Sequence, residues 1–105
     1  MRVLLLAKAK FFLPPDYLPI AAQGFNEWRE KYRDKMDEFF FFAGRQAGGG
    51  ILNVSDEAEL NQIVNEWPLT PFAETDIIPL VDGDVALKQF NELAQMVSGQ
   101  MGGHS

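Results

Sequence analysis

Four consecutive phenylalanines, Phe39 to Phe42, constrain this chain of 105 residues more than any other feature. Neighbouring side chains on a strand point to opposite faces of the sheet, so a strand built from these residues needs apolar cover on both sides. A chain of this length has room for a single core, and its helices can shelter only one of those faces. The remaining face would carry alternate members of the phenylalanine run together with part of the first strand. An apolar patch of that size usually marks a partner surface, and a second copy placed sheet to sheet is the simplest partner.

The flanking sequence supplies the other elements. Arg2 to Phe12 reads as a strand, with Val3, Leu5, Ala7, Ala9 and Phe11 on one face and Leu4, Leu6, Lys8 and Lys10 on the other. Pro14, Pro15 and Asp16 end it, because proline offers no ladder donor. From Tyr17 to Lys35 the apolar residues Leu18, Ala21, Phe25, Trp28 and Tyr32 recur at helical spacing. Gly44 to Gly50 reads as a glycine-rich turn, followed by a third strand at Ile51, Leu52 and Val54. Ser55 or Asp56 caps the next helix, with Glu59 three residues after Asp56 as a capping box; Leu60, Ile63, Val64 and Trp67 lie on one face, and Pro68 stops it. Thr75 to Val81 reads as a fourth strand whose Pro79 places it at an edge or bulge. Asp84 opens a last helix striped by Val85, Phe90, Leu93, Ala94 and Val97.

The order strand, helix, strand, strand, helix, strand, helix predicts an α+β chain. The expected fold is ferredoxin-like βαββαβ, an antiparallel sheet with two helices on one face plus an extra C-terminal helix, two copies closing into a dimeric α+β barrel. Residues 1–82 make the domain, 83–98 a helix packed on the domain or its dimer partner, and 99–105 a flexible tail that includes His104.

Composition narrows the function. Nine basic against fifteen acidic residues give a net charge of -6, which repels phosphate backbones, so nucleic acid is not an expected partner. With no cysteine, disulfides, thiolate catalysis and zinc-thiolate sites are impossible. The apolar opening is too short for a membrane span and lacks a signal cleavage pattern, so a cytoplasmic location away from membranes is the simplest expectation. Glu74 and Asp76 are too few to make a metal site, and Gly48 to Gly50 lack the lysine and spacing of a phosphate loop. Neither metal nor cofactor is expected.

Ala43-Gly44-Arg45, Asn53-Val54-Ser55, Glu59-Leu60 and Trp67-Pro68-Leu69-Thr70-Pro71-Phe72 answer to a known pattern. That pattern is Ala-Gly-Arg, a short hairpin, an aspartate-capped helix and Leu-Pro-Leu-x-Pro-Tyr, and with it Ala43 to Leu80 resembles the muconolactone isomerase family. The opening strand and Leu13-Pro14-Pro15-Asp16 are also similar to that family, while the last helix has no counterpart there. The resemblance implies a ferredoxin-like subunit, oligomers built on sheet-to-sheet dimers, and a cofactor-independent 1,3-proton shift on an unsaturated lactone carrying a carboxylate. Departures remove polar groups: phenylalanines replace a Leu-Trp-Arg stretch, Gln46, Ala47 and Gly48 replace Tyr-Ala-Asn, and a helix replaces a His-Pro-Ser ending.

Moving a proton on carbon takes a base of suitable pKa, a group to stabilise the enolate, and exclusion of water. Glu27 and Glu30 flank Trp28, and a carboxylate leaning into an apolar pocket would have its pKa raised by desolvation. The alternative for both is a solvated helix face with Glu27 paired to Lys31. Arg45 at a pocket mouth would hold a ligand carboxylate, or simply face solvent in a turn. Asn53 would hydrogen-bond a ligand or project outward. Trp28, Phe40, Phe42, Trp67 and Phe72 would wall a pocket for a flat apolar or aromatic ligand, or serve as core. Three readings therefore stand side by side: a cofactor-free isomerase, a non-catalytic binding or accessory dimer, and a structural or interaction protein that merely dimerises.

Overall fold

The computed structural model describes residues 1–102. In chain order these form β1 (Arg2–Ala9), α1 (Leu18–Lys31), β2 (Met36–Phe41), β3 (Ala47–Asn53), α2 (Glu57–Glu66), β4 (Ala73–Leu80) and α3 (Gly83–Gly102). All neighbouring strands run antiparallel in the order β2-β3-β1-β4, which with α1 and α2 on one face is the ferredoxin-like α+β fold that the sequence predicts. Pro79 sits in β4, an edge strand, where its missing N–H breaks no ladder.

Register assigns every strand residue to a face. Val3 lies opposite Leu52, Leu5 opposite Gly50 and Ala7 opposite Gly48, and these look toward the helices. Leu4 opposite Ile51 and Leu6 opposite Gly49 look the other way. The phenylalanine run splits as strand alternation demands. Phe39 and Phe41 pair with Gly50 and Gly48 and stack around Phe25 of α1, while the rings of Phe40 and Phe42 stack on each other at the uncovered face.

The glycine run is the main departure from expectation. Gly48, Gly49 and Gly50 lie within β3 rather than in the turn, which shrinks to Phe42–Gln46 with Gly44 at a φ of 74° that suits glycine. A Cβ on Gly48 would meet the Phe40 carbonyl oxygen at 2.5 Å and the Phe41 ring at 3.2 Å. The bulky strand beside it therefore requires glycine, and composition alone hides that cross-strand contact.

α2 starts as expected: the Asp56 carboxylate accepts the Glu59 backbone N–H at 2.9 Å. Its Leu60, Ile63 and Val64 are buried against Val3, Leu5, Leu52, Val54 and Trp28 to make the core. Trp28 Nε1 donates to the Ile63 carbonyl at 2.9 Å and ties α1 to α2.

The last helix differs from expectation at both ends. Asp82, not Asp84, caps it, its carboxylate accepting from the backbone N–H groups of Asp84 at 3.1 Å and Val85 at 3.4 Å. The helix continues to Gly102, through part of the segment expected to be a tail, and His104 lies outside the described residues. Nor does it pack on its own domain. The molecule measures 72 × 27 × 21 Å, and α3, about 30 Å long for twenty helical residues, projects from the body with its apolar side chains exposed. Among the described residues, no helix is long and apolar enough to cross a membrane.

Candidate functional site

A cavity of about 440 Å³ opens between the sheet and the helices at the end where β1 and β3 carry small residues. Helix-facing side chains are large at the other end, where Val3, Leu5 and Leu52 fill the space under α2. Gly50 stands opposite Leu5, and farther along the same faces come Ala7, Gly48, Ala9 and Ala73; this drop in side-chain volume leaves the hollow, which Leu5 and Leu52 border at its inner end. The floor is thus set by sequence, and the walls by aromatic residues.

Phe25 stands at the centre of those walls. Its ring lies edge-on to Trp28 at 5.7 Å, Trp67 at 5.6 Å and Phe39 at 5.9 Å, the geometry that aromatic quadrupoles favour. Phe72 closes one side, edge-on to Phe11 at 5.7 Å and Tyr17 at 5.9 Å. The Arg29 guanidinium sits 4.8 Å from the Phe39 ring centre, so its charge rests on an aromatic face. Arg45 and Gln46 are the polar side chains on the border, and both are exposed. Trp67 adds a feature of its own: it lines the cavity, it is 8% exposed, and its indole N–H is buried with no partner, whereas that of Trp28 is satisfied.

The structure places Trp28, Arg45, Trp67 and Phe72 around this cavity. Phe40 borders it, although its ring stacks with Phe42 at 5.9 Å on the opposite face. Phe42 belongs to a shallower groove on that other face, together with Lys8, Lys10, Glu74 and Asp76. Asn53 lies at the far end of β3 beside Arg2, exposed and away from either hollow.

The two glutamates stay outside. Glu27 is exposed and accepts from Gln23 Nε2 at 3.2 Å, while Lys31, its expected partner, reaches Glu66 at 2.9 Å instead. Glu30 is exposed and bonded to the Arg33 guanidinium, first by hydrogen bonding and then by charge, which holds its carboxyl below the ordinary 4.5. A base in an apolar pocket would be shifted upward by desolvation, so Glu30 moves in the wrong direction for that role. Both side chains turn outward because Trp28 between them occupies the buried stripe of α1.

Sequence reasoning passed over Phe25, Phe39 and Phe41 as cavity residues. The signal is present: Phe25 precedes Trp28 by three residues on the buried stripe, and Phe39 and Phe41 alternate with Phe40 and Phe42. What was hidden is which alternate set faces the helices, since register depends on pairing with β3. Among the described residues, no group of three or more histidine, aspartate or glutamate side chains is placed to hold a metal ion.

Fold and cavity together define a ferredoxin-like α+β protein with an aromatic-walled hollow inside one subunit. No family model matches the chain, and no curated protein does either. Among solved structures, it is similar to one described as the crystal structure of muconolactone isomerase at 3.3 Å resolution. The match has a TM-score of 0.71 and 15% sequence identity, and it covers 78% of this chain and 90% of the other. At that identity the likeness establishes the fold.

Proposed function

We propose that this chain binds a small, flat, largely apolar acid in the cavity between helices and sheet, and that it does so without turning the ligand over. The carrying observation is the makeup of the lining: aromatic walls from Phe25, Trp28, Phe39, Trp67 and Phe72, one guanidinium at Arg45 and, among the described residues, no carboxylate or imidazole. The volume falls in the range of small-molecule pockets, about 300 to 1,000 Å³. Arg45 makes no ion pair among the described residues, and its fork suits a ligand carboxylate. The buried N–H of Trp67 offers a second polar handle, since a donor left without an acceptor costs about 1 to 3 kcal/mol. Pairing of two copies through the uncovered sheet face, which bears Leu4, Leu6, Phe40, Phe42 and Ile51, is part of the same reading.

Titration with benzoate-type acids and unsaturated lactone acids tests it through tryptophan fluorescence, because Trp28 and Trp67 both line the hollow. A saturable change is expected, with Arg45→Ala weakening the acid by about tenfold, the value of one charge-assisted contact, and leaving the matching amide unaffected. No response to any of these compounds at millimolar concentration would remove the reading.

The isomerase reading is favoured by one observation, the structural likeness to a muconolactone isomerase. It needs a proton acceptor that reaches the ligand, and neither Glu27 nor Glu30 borders the cavity. Deuterium incorporation into an unsaturated lactone, followed by NMR, separates the two. Exchange abolished by Glu27→Gln with Glu30→Gln would restore catalysis to first place.

A further inference from the structure

We infer that Lys8, Lys10 and Arg45 form a seat for a multiply charged anion of the phosphate monoester kind, carried on a chain that leaves the cavity over the end of the sheet. The chain rests on the cavity reading proposed above, while the seat stands on three observations of its own.

Unpaired cations gather in one corner of the molecule. Of nine basic residues, Arg2, Lys31, Arg33 and Lys35 are in ion pairs and Arg29 lies over the Phe39 ring. Lys8, Lys10, Arg45 and Lys88 are left without an acidic partner among the described residues, and the first three of these line one groove. Acids outnumber bases fifteen to nine, so partners are not scarce. Like charges held together repel one another, and a bound anion relieves that repulsion.

Register explains how they meet. Lys8 lies opposite Ala47, and the Ala9 N–H donates to the Gln46 carbonyl at 2.9 Å, which carries the ladder one step further. Arg45 therefore comes beside Lys10, with Lys8 two residues away on the chain, about 7 Å. On the other side of β1, Glu74 lies opposite Lys8 and Asp76 opposite Leu6. All five charged side chains line the groove on the uncovered face. Its cations stand at the end of β1 and before β3, and its carboxylates on the β4 edge, so an anion is held at the end nearest the cavity.

The groove is continuous with that cavity. Ala9, Phe11, Phe12, Arg45, Gln46 and Ala47 border both hollows, which thus meet over the end of the sheet. A ring held among Phe25, Trp28 and Trp67 can extend a chain past Ala9 and Ala47 to the lysines. One guanidinium fork with two ammonium groups suits the three oxygens of a phosphate better than the two of a carboxylate. The net charge of -6 repels nucleic-acid backbones, so the anion belongs to a small molecule.

Tryptophan fluorescence with hydrocinnamate and with phenylpropyl phosphate compares two anions on the same ring. The phosphate is expected to bind about tenfold tighter at about 0.01 M salt and to lose most of that advantage near about 1 M, as the Debye length falls from about 30 Å to about 3 Å. Lys8→Gln with Lys10→Gln changes two exposed positions and so spares the fold. It should remove the same factor of about ten, the effect of two exposed charge contacts, and leave hydrocinnamate unchanged because neither lysine borders the cavity. Glu74→Gln should tighten the phosphate about threefold.

Equal affinity for the two compounds, or a phosphate advantage that the lysine variant keeps, overturns the seat and leaves the cavity reading standing. A response to neither compound removes the cavity reading, and amide NMR shifts with inorganic pyrophosphate then decide the seat. Shifts centred on Lys8, Lys10 and Arg45 that vanish in the lysine variant keep it, and their absence at millimolar concentration overturns it. Lysine-dependent sedimentation with phosphatidylglycerol vesicles, without any advantage for phenylpropyl phosphate, would assign these cations to a lipid surface and overturn the seat as well.

Discussion

The two ends of the helix-facing sheet surface differ in one respect, side-chain size, and that difference separates a filled core from an open cavity. At one end Val3 meets Leu60, Ile63 and Val64 and the space is filled, with Leu5 and Leu52 at the boundary between core and cavity. At the other, Ala7, Ala9, Gly48, Gly50 and Ala73 lie under Phe25, Trp28 and Trp67, and about 440 Å³ stays open. Backbone spacing hardly varies along a sheet, so small residues at successive helix-facing positions translate directly into a hollow. The aromatic roof keeps that hollow from collapsing, because rings locked edge-on around Phe25 cannot all settle onto a flat floor.

Four substitutions break or sharpen the contrast. Ile63→Ala, at a position that is 0% exposed, is expected to cost about 2 to 5 kcal/mol in urea unfolding, with ligand affinity measured in the folded fraction unchanged. A parallel loss of affinity would mean that the two ends are not separable. Gly50→Ala places a Cβ 2.7 Å from the Glu38 carbonyl oxygen. The backbone must shift, at a cost of about 1 to 3 kcal/mol, and the floor of the cavity shifts with it. Ala7→Leu extends a side chain into open space, so its stability cost stays below about 1.5 kcal/mol while fluorescence titration shows ligand affinity falling at least about tenfold. A variant that binds as well as the parent would show that ligands do not enter this hollow.

The smallest effect belongs to the filled end and is read through pH. The Glu59 carboxyl is held below its ordinary 4.5, first by the Ser55 hydroxyl and then by Lys35. A folded value lowered in this way contributes stability above the unfolded value and loses it as pH falls through the folded one. Between about pH 6 and 3 the parent should therefore lose more stability than Glu59→Gln. Identical urea midpoints across that range would remove the contribution.

Much of this arrangement was legible in the linear chain. The α2 cap at Asp56, its stop at Pro68, the edge position of β4 and the buried stripe of α1 all follow from short-range chemistry, and each occurs where the pattern puts it. Trp28, Trp67, Phe72 and Arg45 all border the same cavity. The placement of Glu27 and Glu30 was legible as well, in the alternative that put them on a solvated face.

The remainder depends on contacts between residues distant in sequence. Gly48 to Gly50 read as a turn because glycine is locally permissive, yet they form a central strand whose neighbours leave no room for a Cβ: Phe40 and Phe41 crowd Gly48, Leu5 and Leu6 of β1 crowd Gly49, and Glu38 crowds Gly50. Local composition carries no information about a neighbour on the next strand. Similarly, the phenylalanine run required that both faces be used, but only pairing with β3 decided that Phe39 and Phe41 face the cavity while Phe40 and Phe42 face away. Shifting a strand by one residue exchanges its faces. The sequence by itself thus determined most of the elements and the split of the phenylalanine run between two sheet faces. Tertiary structure alone decided that the hollow lies within one subunit, under α1 and α2, since its volume is the gap left between residues that meet only after folding.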